Sequence, residues 1–293
     1  MKSSKIKKWI LLLVVFAALS VSLHSCLQFR MNHAEIDSFF ANKKQKGKII
    51  NYKEGIRIIH YVIAGDDQKP LIIFVHGSPG SLSAFIDFLG DSTLLEHAQL
   101  LSIDRPGFGD ANFGHAEPSL YKQAALLKSV IEKNKKNRPV FLVGHSLGGP
   151  LIARVAMDYP DLVDGLIMVA PSIDPALEPN EWFRGPLASP FLRWVLPRSI
   201  RASNDEILQL KPQLENMIPL WPEVVIPTIV IQGKDDRLVP YQNAFFAKEK
   251  MVNAPVTLMV IDSMDHFVPW TNPDLINKAI LNMIDLYSKT AKK

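Results

Sequence analysis

One serine, one histidine and two aspartates carry the chemistry this sequence could do. Ser146 lies in the stretch FLVGHSLGG at residues 141–149, where a short apolar run stops at Gly144-His145-Ser146-Leu147-Gly148 and the helical pattern PLIARVAMDYP begins. A serine at the apex of a strand–turn–helix is the context in which G-x-S-x-G acquires meaning. Such a turn strains the backbone and leaves no room for bulk two residues to either side, which accounts for Gly144 and Gly148. A helix starting behind Ser146 points its N-terminal dipole and free N–H groups at the place where negative charge would develop. The same five residues also fit an ordinary glycine-rich turn, so the rest of the chain has to supply partners.

A serine hydroxyl is a poor nucleophile near neutral pH. It needs a base within hydrogen-bond reach, and the base needs an acid to fix its tautomer. After the apolar run TIVIQG comes Lys234-Asp235-Asp236-Arg237, and after VTLMVI comes Asp262-Ser263-Met264-Asp265-His266. His266 is the only histidine C-terminal to Ser146, whereas Asp235 and Asp236 both remain candidates for the acid. A tetrahedral intermediate also needs N–H donors. Leu147, directly after the serine, can give one. The second should come from the loop His76-Gly77-Ser78-Pro79-Gly80; proline has no N–H, so Ser78 is the best candidate. Each such donor stabilises a transition state by about 3 kcal/mol.

The elements that must position these residues alternate. Residues 48–64 read as two strands joined at Glu54-Gly55, with His60 structural. LIIFV, QLLSI, VFLVG and the run at 164–171 read as strands separated by helical patterns. Strand–helix alternation with continuous apolar strands argues a mostly parallel sheet covered by helices on both faces. The alternation lapses over 172–225, a proline-rich stretch with three of the five tryptophans, and resumes with TIVIQG and VTLMVI. That stretch is expected to be a helical cap inserted between two strands of a core spanning 48–171 and 226–293. Trp182, Phe183, Phe191, Trp194 and Trp221 are expected either to line a substrate pocket or to pack the cap on the core.

The front of the chain is different. Four lysines precede an almost wholly apolar run at 10–23, the arrangement of a secretory signal. Leu23-His24-Ser25-Cys26 resembles a bacterial lipobox, so residues 1–25 are expected to be a signal peptide or membrane anchor. Cys26 would be the lipidated residue, and 26–47 a polar spacer with a short amphipathic segment around Ile36 to Phe40. This places the domain in the cell envelope, outside the cytoplasm. The formal charge of +4 resides in those leading lysines, which leaves the remainder near neutral and removes any argument for nucleic-acid binding. The lone cysteine excludes an internal disulfide. No metal-ligand spacing and no nucleotide loop is present, and the chemistry calls for no cofactor.

Across roughly 48–290 the chain resembles the α/β-hydrolase-fold enzymes, through HGSPG at 76–80, DRPGFG at 104–109, GHSLGG at 144–149, GKDDRLVP at 233–240 and DHF at 265–267. The resemblance implies that Asp236 is the acid, with Asp174 as a rarer counterpart, and that Asp104 and Arg105 brace loops rather than react. Where many relatives place a serine after that turn, this chain has Asp110-Ala111-Asn112. A serine at position 146 disfavours epoxide hydrolases and haloalkane dehalogenases, which use aspartate there. The expected activity is a serine hydrolase acting on an ester-like bond of a small molecule. Carbon–carbon bond hydrolysis, cofactor-free perhydrolysis and a non-catalytic surface lipoprotein are the alternatives.

Overall fold

The computed structural model describes residues 27–290. The expected signal or anchor at 1–25 and the lipidation candidate Cys26 lie outside the described residues. Eight strands form a single sheet: β1 (Lys48–Glu54), β2 (Arg57–Ala64), β3 (Leu71–Val75), β4 (Gln99–Ile103), β5 (Val140–His145), β6 (Gly165–Val169), β7 (Thr228–Gly233) and β8 (Val256–Ile261). Their order is β1-β2-β4-β3-β5-β6-β7-β8. β2 runs antiparallel to both its neighbours, and every other pairing is parallel.

The helices follow in chain order as α1 (His33–Ala41), α2 (Ile86–Leu89), α3 (Ser92–His97), α4 (Leu120–Lys135), α5 (Gly148–Asp158), α6 (Arg184–Leu187), α7 (Pro190–Arg193), α8 (Arg198–Met217), α9 (Gln242–Lys250), α10 (Val268–Thr271) and α11 (Pro273–Thr290). Strands β3 to β7 are buried at every residue, as their unbroken apolar runs require when both faces are covered. The pleat divides them between two cores. Leu71, Ile73 and Val75 of β3 pack with side chains of α4 and α5, whereas Ile72 and Phe74 pack with those of α2 and α11. Parallel strands with helical crossovers bring their carboxyl ends to one edge, where the connecting loops can converge.

Within 26–47, expected as a polar spacer with a short amphipathic segment around Ile36 to Phe40, residues 33–41 form α1 and pack on the core. Asn32 and Glu35 close a reciprocal capping box, Glu35 N donating to Asn32 Oδ1 at 3.0 Å and Asn32 N to Glu35 Oε2 at 2.7 Å. Ile36 and Phe40 are buried against the second core. Burial of that kind stabilises by about 1.5–3 kcal/mol per side chain, enough to hold a nine-residue helix that would be marginal alone. Lys46, from the basic run after it, donates to the carbonyls of Phe40 and Ala41 and so serves the helix's negative end.

Between β6 and β7 the chain leaves the sheet as α6, α7, α8 and the 3₁₀ turn Ile218–Glu223, the inserted cap. Its aromatics divide. Trp221 is fully buried against Phe246, but Trp182 and Phe191 are each 79% exposed and Trp194 is 64% exposed. No helix among the described residues is long and apolar enough to cross a membrane.

Candidate active site

The turn after β5 has the conformation its residue types predict. Ser146 has φ of +53°, in the left-handed region that side-chain-bearing residues rarely occupy. Across residues 141–150 it alone is not buried. Its amide donates to the Val169 carbonyl at 2.9 Å, tying the apex to the end of β6. A side chain at Gly144 would run into the Gly148 carbonyl, and one at Gly148 into the Val75 carbonyl. The two glycines therefore let the turn close against itself and against β3.

The loops after β7 and β8 meet beside it. His266 Nδ1 lies 2.7 Å from Asp236 Oδ2, with both side chains buried. The second carboxylate oxygen of Asp236 accepts the Leu238 and Val239 amides at 2.9 and 2.8 Å, and Gln232 Nε2 donates to Oδ2 at 3.0 Å. Burial alone would raise the pKa of this carboxyl, but the hydrogen bond from His266 and the two amides outweigh it and hold the group ionised below its usual range. Asp236 as an acceptor makes His266 Nδ1 the donor, which turns the Nε2 lone pair outward. Asp235, next door, is exposed. Asp174 is bonded elsewhere, receiving the Ala176 amide and donating its own to Asn243.

His145, not singled out by its sequence context, sits behind His266 with ring centroids 4.8 Å apart and Nε2 2.9 Å from the His266 carbonyl. Burial first, and the neighbouring His266 second, lower its pKa to about 3, so it is a neutral donor that fixes the His266 backbone.

The HGSPG loop after β3 forms the opposite wall. Neither the Ser78 nor the Leu147 amide has a protein acceptor among the described residues. The loop is held by Arg105, whose Nε donates to His76 O at 2.9 Å and Nη2 to Gly77 O at 3.0 Å. The same guanidinium makes a two-pronged pair with Glu206 of α8 at 2.8 and 3.0 Å, and its Nη1 also donates to Gln123 of α4. All five Arg105 donors are thus engaged. Burial pushes the Glu206 carboxyl up from its ordinary range against the pull of Arg105, while burial holds the His76 imidazole well below its own. Asp104 braces as expected: its carboxylate accepts the amides of Leu82 and Asp110 at 2.7 and 2.8 Å. Glu206 was not foreseen. Its signal is an acid on the buried i, i+4 stripe Ala202, Glu206, Leu210, Leu214.

Two cavities meet at Ser146. The larger, about 490 Å³, is walled by Phe29, Pro79, Ala84, Phe267 and Trp270 beside His145 and His266. The smaller, about 190 Å³, lies under the cap and includes Ser172, Glu178, Glu181, Arg184 and Ile207. Ser78, Ser146, Leu238 and His266 line both. The aromatic residues of the cap line neither, which removes them from the pocket; Phe29 and Trp270, from opposite ends of the chain, take that place.

A family model described as alpha/beta hydrolase fold matches residues 70–198. Over 97% of its length the chain superimposes on the solved structure of a membrane phospholipase A, covering 98% of that chain with a TM-score of 0.64 at 17% identity. The chain has the α/β-hydrolase fold. A 2-hydroxy-6-oxononadienedioate/2-hydroxy-6-oxononatrienedioate hydrolase of a Pseudomonas species is 25% identical over 77% of this chain and 91% of its own. Protein ABHD8 of Homo sapiens is 26% identical over 73% of this chain, which spans only 54% of that relative's length.

Proposed function

We propose that this α/β-hydrolase-fold chain is a serine hydrolase that cleaves an ester-like bond of a small molecule through an acyl-enzyme. The observation that carries the reading is Ser146 at a left-handed apex, facing the same two cavities as a histidine whose other nitrogen is held by a buried aspartate. Ser146 Oγ attacks the carbonyl carbon while His266 Nε2 takes its proton. The oxyanion is received by the Leu147 and Ser78 amides. His266 then gives the proton to the departing alcohol, and a water molecule, deprotonated by the same nitrogen, releases the acid. Asp236 fixes the tautomer throughout.

The two cavities suggest how an ester lies. Its acyl part occupies the larger, mostly apolar chamber and its alcohol the smaller, more polar one, which brings the carbonyl to Ser146. Labelling of the protein with a fluorophosphonate, beside Ser146→Ala, tests this. Labelling of the wild type alone is expected, together with turnover of p-nitrophenyl esters that varies with acyl length. Absence of labelling, or equal hydrolysis by the variant, would sink the nucleophile assignment. The Pseudomonas relative favours a second reading, carbon–carbon bond hydrolysis of vinylogous diketones by the same residues. It predicts turnover of those compounds with little on simple esters.

We also propose that the enzyme sits at a membrane in the cell envelope, tethered through Cys26. In support, the Leu27 carbonyl, next to Cys26 in sequence, is held against the cap by Ser199 Oγ, and that cap exposes Trp182, Phe191 and Trp194. Cys26→Ala should release the protein from membranes; unchanged retention would contradict the lipid anchor.

A further inference from the structure

Away from Ser146, three distant segments bring metal-binding atoms to one point on the antiparallel side of the sheet. His33 of α1, His60 of β2 and Asp110 of the loop after β4 each present one ligand atom, all within 4.8 Å of one another. His33 Nε2 lies 3.2 Å from His60 Nε2 and 3.2 Å from Asp110 Oδ2, and His60 Nε2 lies 3.9 Å from that same oxygen. Ligands held at the zinc–nitrogen distance with a tetrahedral angle stand about 3.3 Å apart. Two of the three edges therefore already match, and the third needs a modest closure at the half-exposed Asp110.

The surroundings are arranged as an ion would require. His60 is 1% exposed, and its Nδ1 lies 2.7 Å from Asp104 Oδ2. That oxygen also receives the Asp110 amide, so the carboxylate is an acceptor and His60 Nδ1 is the donor. The Nε2 lone pair is thereby turned toward His33. A carboxylate that orients a histidine ligand in this way is the usual outer shell of a zinc site. Arg30 takes the other oxygen of Asp110, Oδ1, at 2.8 Å and leaves Oδ2 for the cluster. Two carboxylates face one guanidinium, so the site has negative charge to offer a dication. His33 is half exposed, which leaves a side open for water.

We propose that His33, His60 and Asp110 bind a zinc-class divalent ion, with water as the fourth ligand, and that this ion fastens α1 to the sheet. Imidazole and carboxylate donors in tetrahedral disposition suit Zn²⁺. The segment so fastened carries Arg30 and Phe29, and Phe29 walls the larger cavity, so the ion steadies that wall from outside the reacting groups. The ligands are too far apart in sequence to form a motif, which is why sequence spacing offered no metal site. This inference is independent of the role given to Ser146.

The test is titration of Zn²⁺ into the chelator-treated full chain, followed by calorimetry, with bound metal counted after dialysis. One ion per chain is expected, with a rise in the thermal unfolding midpoint. His33→Ala, at an exposed position, should weaken binding at least the about tenfold that loss of an outer-shell partner costs, and should abolish the midpoint shift. Asp110→Asn should weaken it in the same sense. A wild type that retains no zinc, as a purely hydrogen-bonded His–His–Asp clasp would, overturns the proposal. So does a His33→Ala variant that binds as tightly as wild type, which would put the ion elsewhere.

Discussion

The two sides of the cleft are built on different principles. On the core side, each group that meets Ser146 stands in the turn or loop after a strand and is held by fixed hydrogen bonds or backbone geometry: Asp236 by two amides, His266 by Asp236 and His145, the serine by its own strained turn. On the cap side, α6 and α7 are four-residue helices, Trp182, Phe191 and Trp194 in and around them are exposed, and one buried ion pair, Arg105–Glu206, joins α8 to the loop beneath. Rigid strand ends suit chemistry, in which a displacement of about 1 Å can cost a hundredfold in rate. A loosely built insertion suits selection, since its helices can change without moving the reacting atoms.

The contrast is tested most strongly by neutralising one carboxylate on each side. Asp236→Asn keeps the size of the side chain and acceptors for the Leu238 and Val239 amides, but it favours the wrong His266 tautomer. Turnover of a p-nitrophenyl ester should fall about 10⁴-fold, roughly 5.5 kcal/mol of activation free energy, with little change in urea midpoint. Retention of a tenth of the activity would remove Asp236 from the mechanism.

Glu206→Ala should do the reverse. It strands the Arg105 guanidinium, 1% exposed, without its counter-charge. Breaking a buried pair from one side costs about 3–5 kcal/mol, which urea unfolding would register directly. Since Arg105 also holds the carbonyls of His76 and Gly77, a smaller loss of turnover should accompany it through the Ser78 amide. A midpoint shift below about 1 kcal/mol would show that the cap is held by other contacts.

Legibility from sequence followed the same divide. Two of the strand-end loops carry a local signature, a glycine pair around Ser146 and a histidine with no rival downstream, whereas Asp236 was singled out only by the family resemblance. Asp236 rather than Asp235 follows from the bend of one loop, which buries the former and exposes the latter. The pocket walls were not readable. Phe29 and Trp270 converge only through the fold, and no periodicity links them. Of the two places expected for the cap aromatics, only Trp221 took one, packing the cap on the core, and most of the others face solvent, which composition alone does not reveal. The short amphipathic segment around Ile36 to Phe40 was legible as such, because its two buried residues are one helical turn apart, but its docking on the core was not.

A third effect, smaller than the first two, lies behind the catalytic histidine. His145 titrates at about 3 in the folded protein because of burial and then of His266, against an ordinary value of 6.5. Between those values the unfolded chain holds a proton there that the native chain refuses. Stability contributed by neutral His145 is therefore present in full above about pH 6.5 and is lost as pH falls toward 3, by at most about 1.4 kcal/mol per pH unit. His145→Gln keeps a donor for the His266 carbonyl without the titrating site. Its unfolding free energy, measured in urea from pH 6.5 to 4, should fall less steeply than that of the wild type; equal slopes would mean that His145 is protonated in the native state.

The smallest effect is expected where the cap meets solvent. Trp182 and Trp194 line neither cavity, so alanine at either position should change stability by less than about 0.5 kcal/mol. Hydrolysis of a short, soluble ester should be unchanged as well. Trp270→Ala, by contrast, removes a wall of the larger chamber on the core side and should shift preference toward longer acyl groups without loss of the short-chain rate. The pair of outcomes separates two ways in which an aromatic residue near a cleft can act. If the cap tryptophans, and not Trp270, set acyl preference on soluble substrates, the cap must close over the cleft in solution and bring those side chains inside. In that case selection would depend on movement of the insertion, rather than on the strand-end wall.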